Sequence, residues 1–133
     1  MKKIILAVFI FTMPFSCLAQ TDGNTMLRAC NAAVDLNDGV KQDATGSVEA
    51  VTCMSYVAGY LDALWVMRSI ESKPGANSDE DCIVSRLKAG VPTIQVVRIF
   101  AKYLHSHPEH LDGHAAVLLV VALREAFPCS SKP

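Results

Sequence analysis

The stretch SVEAVTCMSYVAGYLDALWVMRSI, from Ser47 to Ile70, decides the fold class. Val51, Met54, Val57, Leu61, Leu64, Trp65 and Arg68 recur every three or four residues, which predicts one long helix with a single buried stripe. Ser47 is the expected capping hydroxyl, and the helix should end at about Ser69 or Ile70. Cys53, Tyr56 and Tyr60 form an adjacent stripe, so they should face another element rather than water. Gly59 sits mid-helix, at a cost of roughly 1 kcal/mol relative to alanine. A close backbone crossing at that point is therefore expected, because a missing side chain is what permits close approach.

Upstream, Met26, Leu27, Cys30, Ala33 and Val34 keep helical spacing, which predicts a shorter helix over Asn24 to Leu36. Asp22 or Asn24 should cap it. Asn37 to Gly46, with two glycines and three charges, reads as the connecting loop. Downstream, Lys73 to Asp81 is an exposed loop carrying the acidic run Asp79-Glu80-Asp81. Ile83 to Ala89 allows one helical turn before Gly90 stops it. Pro92 and Thr93 open a further helix through Ile94, Val97, Phe100, Ala101 and Leu104, closed by His107-Pro108, because the residue before a proline avoids helical angles. The final helix should run from about His114 to Phe127. Its block Ala115 to Leu123 is apolar on every side, so it is the expected buried centre. No alternating strand pattern appears. The reading is all-α, a small bundle of four to five helices.

The first residues read as a leader. Lys2 and Lys3 precede an apolar run from Ile4 to Phe11, and Cys17-Leu18-Ala19 offers small residues for cleavage after Ala19. Lipidation at Cys17 is the alternative, and Pro14-Phe15-Ser16 is a poor lead-in for it. Residues 1–19 are thus the expected signal peptide and 20–133 one helical domain. The expected compartment is the periplasm, with no membrane association after cleavage. Twelve basic residues, less Lys2 and Lys3, leave ten against thirteen acidic ones, a mature charge near −3. That argues against nucleic acid as a partner.

Four cysteines remain in the mature chain: Cys30, Cys53, Cys82 and Cys129. An even number in an exported protein reads as two disulfides, with three possible pairings. Zinc is disfavoured by the lack of any Cys-x-x-Cys spacing. His105, His107, His110 and His114 cluster, but Asp112 and Gly113 separate the last two at a helix start, so we read a solvated corner there. With the thiols oxidised and no Gly-x-Ser-x-Gly elbow, no nucleophile is assembled, and neither catalysis nor a cofactor is expected. Asp62 is either paired or simply exposed. Tyr56 and Tyr60 read as core-edge residues with wet hydroxyls. The acidic loop is either a solvated face or a recognition loop.

Taken together, these residues resemble the Tai/Rap immunity proteins, which protect bacteria from type VI secretion amidases. The resemblance is carried by Leu27-x-x-Cys30 and by Cys53-x-x-Tyr56-Val57-x-Gly59-x-x-Asp62-Ala63. It continues through Gln95, Tyr103-Leu104-x-x-His107-Pro108 and Ala122-Leu123-Arg124-Glu125-Ala126-Phe127-Pro128-Cys129. It spans nearly the whole mature chain and departs between Cys82 and Gln95, where Ser85 to Ala89 look like extra residues. The resemblance implies a periplasmic helical protein, often a homodimer, that occludes the groove of a peptidoglycan amidase without chemistry of its own. The partner is then a protein effector, and Asp79, Glu80, Asp81, Arg86 and Lys88 are the candidate contact residues. The disulfide pairing expected is Cys30–Cys53, joining the first two helices, and Cys82–Cys129, tying the loop to the tail. Two rival readings are a periplasmic stress chaperone of the small acid-activated helical kind and a metal-binding or enzymatic module at the histidine corner.

Overall fold

The computed structural model describes residues 21–70, 83, 86–87 and 90–128. Four α-helices account for most of them: α1 (Gly23–Asn37), α2 (Ala44–Ile70), α3 (Thr93–Ser106) and α4 (Ala115–Ala126). A single 3-10 turn, Pro108–His110, links α3 to α4. The only strand-like pairing among the described residues is one isolated antiparallel bridge between Asp22 and His114.

Helix α1 starts as its sequence predicts. The Asp22 side chain accepts a hydrogen bond from the Thr25 amide at 2.8 Å, satisfying a donor that the first turn leaves orphaned. The entry to α1 is also tied to the chain just before α4. Thr21 accepts from the Ala115 amide at 2.9 Å, and the Gly23 and Asn24 amides donate to the carbonyls of Gly113 and Leu111. A Cβ on Gly23 would lie 2.7 Å from Leu118 Cδ1 and 2.8 Å from the Leu111 carbonyl, so this close approach requires glycine.

Helix α2 begins three residues earlier than expected. Asp43, not Ser47, supplies the cap: its carboxylate accepts from the Gly46 amide at 2.7 Å. The Ser47 hydroxyl instead donates back to the Asp43 carbonyl at 2.8 Å. The expected loop from Asn37 to Gly46 is shortened accordingly. Gly90 has a φ of 87°, a left-handed conformation that suits glycine and ends the helical residues Ile83, Arg86 and Leu87. Helix α3 runs to Ser106, as the His107-Pro108 stop requires.

The core is built around α1 and α3, with α1 packed most extensively against α2 and also against α3. Met26, Cys30, Phe100, Leu104, Val96 and Val97 are fully buried there. This corrects the expectation for the last helix. Although Ala115, Leu118, Leu119, Ala122 and Leu123 of α4 are buried, Val117 is 58% exposed, and α4 flanks the bundle instead of occupying its centre. A short helix can be apolar all round and still lie at an edge when only one side meets other helices.

The buried stripe of α2 is also rotated from its expected position. Ala50, Cys53 and Val57 face the core, and Met54, Tyr56, Tyr60 and Leu61 pack at its margin. Val51 and Trp65, both assigned to that stripe, are exposed. Cys53 bonds Cys30 with the two Cα atoms 5.0 Å apart, and this disulfide fixes which face of α2 turns inward. The second expected disulfide, Cys82–Cys129, lies outside the described residues, as do Asp79, Glu80, Asp81 and Lys88.

Candidate functional site

The residues singled out in the sequence fall into three places. The first is the end of α3. Tyr103 is buried, and its ring stacks on His107 with centroids 4.3 Å apart. His107 Nδ1 lies 3.0 Å from the Tyr103 carbonyl, and His110 stacks beyond it at 5.9 Å. Burial raises the Tyr103 hydroxyl above its usual range, and the carboxylates of Glu125 and Glu109 push it the same way. Pro108 opens the 3-10 turn, Phe127 packs against the core, and Pro128 is exposed. This corner closes the bundle: Tyr103, His107 and Pro108 terminate a helix and seal its end.

The histidines therefore do not converge on a common point. His105 Nε2 meets the Asn31 side-chain oxygen at 2.9 Å, joining α3 to α1, while His110 approaches Glu109 at 3.7 Å. Among the described residues no group of three or more histidines, cysteines or carboxylates could share a metal ion.

The second place is the approach to α3. Gln95 and Arg86 are exposed. Arg98, one turn further on, pairs with Asp38 at the end of α1, and the guanidinium holds that carboxyl below its ordinary value. Near this edge Leu36, Val51, Met54 and Ile94 line a cavity of about 250 Å³.

The third place is α2, and here the structure adds what the periodicity did not show. Asp62 is exposed, so the choice left open for it resolves toward the solvent side. Gly59 is exposed too, and a Cβ there would meet no atom within 4 Å. Among the described residues no backbone crosses it, contrary to the expectation. Between α2 and the start of α1 runs an open apolar groove of about 710 Å³, whose walls include Thr25, Met26, Val48, Val51, Thr52 and Tyr56. Burial raises the Tyr56 hydroxyl above its usual range, as befits a ring inserted into the groove wall. None of the side chains lining the groove carries a formal charge.

Sequence reading missed this surface because it gave Val51 to a buried stripe and Tyr56 to an adjacent stripe against another element, which left no open apolar face on α2. The signal was present: Val48, Val66 and Ile70 are apolar and lie opposite Ala50, Cys53 and Val57.

The groove beside the Cys30–Cys53 disulfide is thus lined by uncharged side chains. Against that background, a family model described as Rap1a immunity proteins matches residues 22–129, most of the chain. The chain belongs to the Rap1a immunity family. The match begins at the Asp22 cap and takes in all four helices. No curated protein and no solved structure matches the sequence. For a Rap1a immunity protein the expected partner is a secreted protein effector, and the all-helical fold agrees with the resemblance drawn from the motifs.

Proposed function

We propose that this Rap1a immunity protein acts in the periplasm, where it binds a type VI peptidoglycan amidase and covers its substrate groove. The observation that carries this reading is the family match over residues 22–129. The mechanism is occlusion. A bundle held by the Cys30–Cys53 disulfide loses little conformational freedom on binding, so more of the contact energy remains as affinity. Export is supported by the leader-like residues 1–19 and by the disulfide, since such bonds persist in oxidising compartments. The same reading includes a two-copy assembly, and it assigns contact with the amidase to Asp79, Glu80, Asp81, Arg86 and Lys88.

The test is protection in the cell. An amidase effector directed to the periplasm of a susceptible strain lyses it. Co-expression of the full chain should restore growth, and a version lacking residues 2–19 should not. Lysis that proceeds unchanged with the full chain present at equal abundance contradicts the proposal.

A further inference from the structure

Thr21 and Asp22 together join the start of α1 to the start of α4. The Thr21 carbonyl accepts the Ala115 amide at 2.9 Å, and Asp22 forms the isolated bridge to His114 while its carboxylate caps α1. Ala115 has no exposed surface, so the Thr21 carbonyl is the partner of a buried N–H. Thr21 also stands in the wall of the apolar groove, with Thr25, Val48 and Tyr56, where no lining side chain carries a formal charge. Cleavage after Ala19 leaves one residue, Gln20, ahead of this anchor.

We infer that Gln20 of the exported chain closes into a pyroglutamate lactam, which shields the Thr21–Asp22 anchor from trimming. The inference rests on the export reading above, because only cleavage after Ala19 makes the Gln20 nitrogen an α-amine. That nitrogen, in its unprotonated form, attacks the side-chain amide carbon Cδ. The Cδ–Nε2 bond breaks, and the side-chain nitrogen leaves as ammonia, carrying the proton that the amine gives up. Nothing is oxidised or reduced, and no co-reactant is consumed. Glutamine has the chain length for an unstrained five-membered ring, whereas asparagine would need a strained four-membered one.

The surroundings favour the closed form. Ring closure alters only atoms of residue 20, so the Thr21 carbonyl keeps its bond to Ala115. A free α-amine carries a positive charge at neutral pH. At position 20 it would set that charge one residue from Thr21, about 3.8 Å between Cα atoms, beside a groove wall without charged side chains. The lactam is neutral, so the groove keeps an uncharged rim. Chain ends are also where proteolysis concentrates, and an aminopeptidase needs a free α-amine to begin. Loss of Gln20 and then Thr21 would orphan the buried Ala115 amide, a costly state for a backbone donor. The ring removes the point of attack one residue before the anchor.

The full-length chain is expressed and exported, and the intact mass and N-terminal peptide are read directly from the periplasmic extract. The mature chain should begin at residue 20, be lighter than its linear form by one ammonia, and leave its terminal nitrogen unlabelled by an amine-acylating reagent. Gln20→Asn, or Gln20→Ala should the first be cleaved elsewhere, should begin with a free amine. Incubated with a broad-specificity aminopeptidase, the variant should lose residue 20 and Thr21, and its thermal midpoint should fall. The wild type should keep its mass and midpoint until a pyroglutamyl peptidase removes the ring. A mature Gln20 with a free amine overturns the inference. So does equal trimming of wild type and variant, or a variant that keeps its length and midpoint. A chain that begins elsewhere, at Cys17 for example, overturns it as well but leaves the proposed function standing. A retained leader overturns both.

Discussion

Cys30 on α1 and Cys53 on α2 are bonded to each other and have no exposed surface. The bridge closes a loop across a sequence separation of 23 residues, in the middle of the face the two helices share. Restricting the unfolded chain over that span contributes about 3–4 kcal/mol. Replacing both cysteines by alanine should lower the urea-unfolding free energy by about that amount. Retention of full stability would show that helix packing alone sets the α1–α2 pairing.

Gly23 and Gly59 predict opposite outcomes for the same substitution. At Gly23 a methyl group would collide with the Leu111 carbonyl, a backbone atom that cannot swing aside. Gly23→Ala should therefore destabilise by about 1–3 kcal/mol. At Gly59 the methyl would enter open space inside a helix. Gly59→Ala should stabilise the dilute single chain by about 0.5–1 kcal/mol. Thermal unfolding of both variants at low concentration separates the two effects, and equal signs would contradict the packing described.

Acid should weaken the fold in a way traceable to Asp22. The Thr25 amide, donating to its carboxylate, holds the folded-state pKa below the ordinary 3.8. A group with a depressed folded pKa adds stability above its unfolded value and loses it as pH falls through the folded one. Asp38, lowered chiefly by its hydrogen bond from Arg98, acts in the same direction but is an exposed pair that salt weakens. Asp22→Asn keeps a capping oxygen and removes the titration. Unfolding measured from pH 6 down to pH 2.5 should show a shallower acid limb for that variant, and an unchanged limb would assign the loss elsewhere.

Phe100 is the largest fully buried side chain among the described residues. Truncation to alanine should cost about 3–5 kcal/mol, from lost burial and from the cavity left behind. For a domain this small that is a large share of the total. Denaturant midpoints of Phe100→Ala and of the exposed control Val117→Ala should differ sharply. Similar midpoints would mean that the α1–α3 core is not where the stability resides.

Much of this was legible beforehand because helical spacing and caps are local signals. Asp22, Pro92, His107-Pro108 and the face of α3 read directly from their neighbours in sequence. The errors have one physical origin, since neither the rotation of a helix nor its neighbours is a local property. Val51 and Trp65 fit a three-four spacing as well as Ala50 and Cys53 do, and only the bond to Cys30 fixes which side turns inward. In the sequence, Gly59 and the apolar α4 block both read as signs of close burial within one chain. The structure shows Gly59 facing outward and α4 at the flank. The resemblance reached the family through ordered motifs, and several of those residues, such as Tyr103 and His107, lie at helix ends.

The central claim is that a folded, unreactive surface silences an enzyme by covering it. The direct measurement is a titration of a type VI amidase with the purified protein, following release of cleaved peptide stems from isolated peptidoglycan. Activity should fall linearly to near zero as inhibitor and enzyme reach equal numbers, and the amidase should regain full activity when the complex is dissociated and the inhibitor removed. Undiminished cleavage at several-fold excess of inhibitor, or inactivation that persists after it is removed, would contradict occlusion.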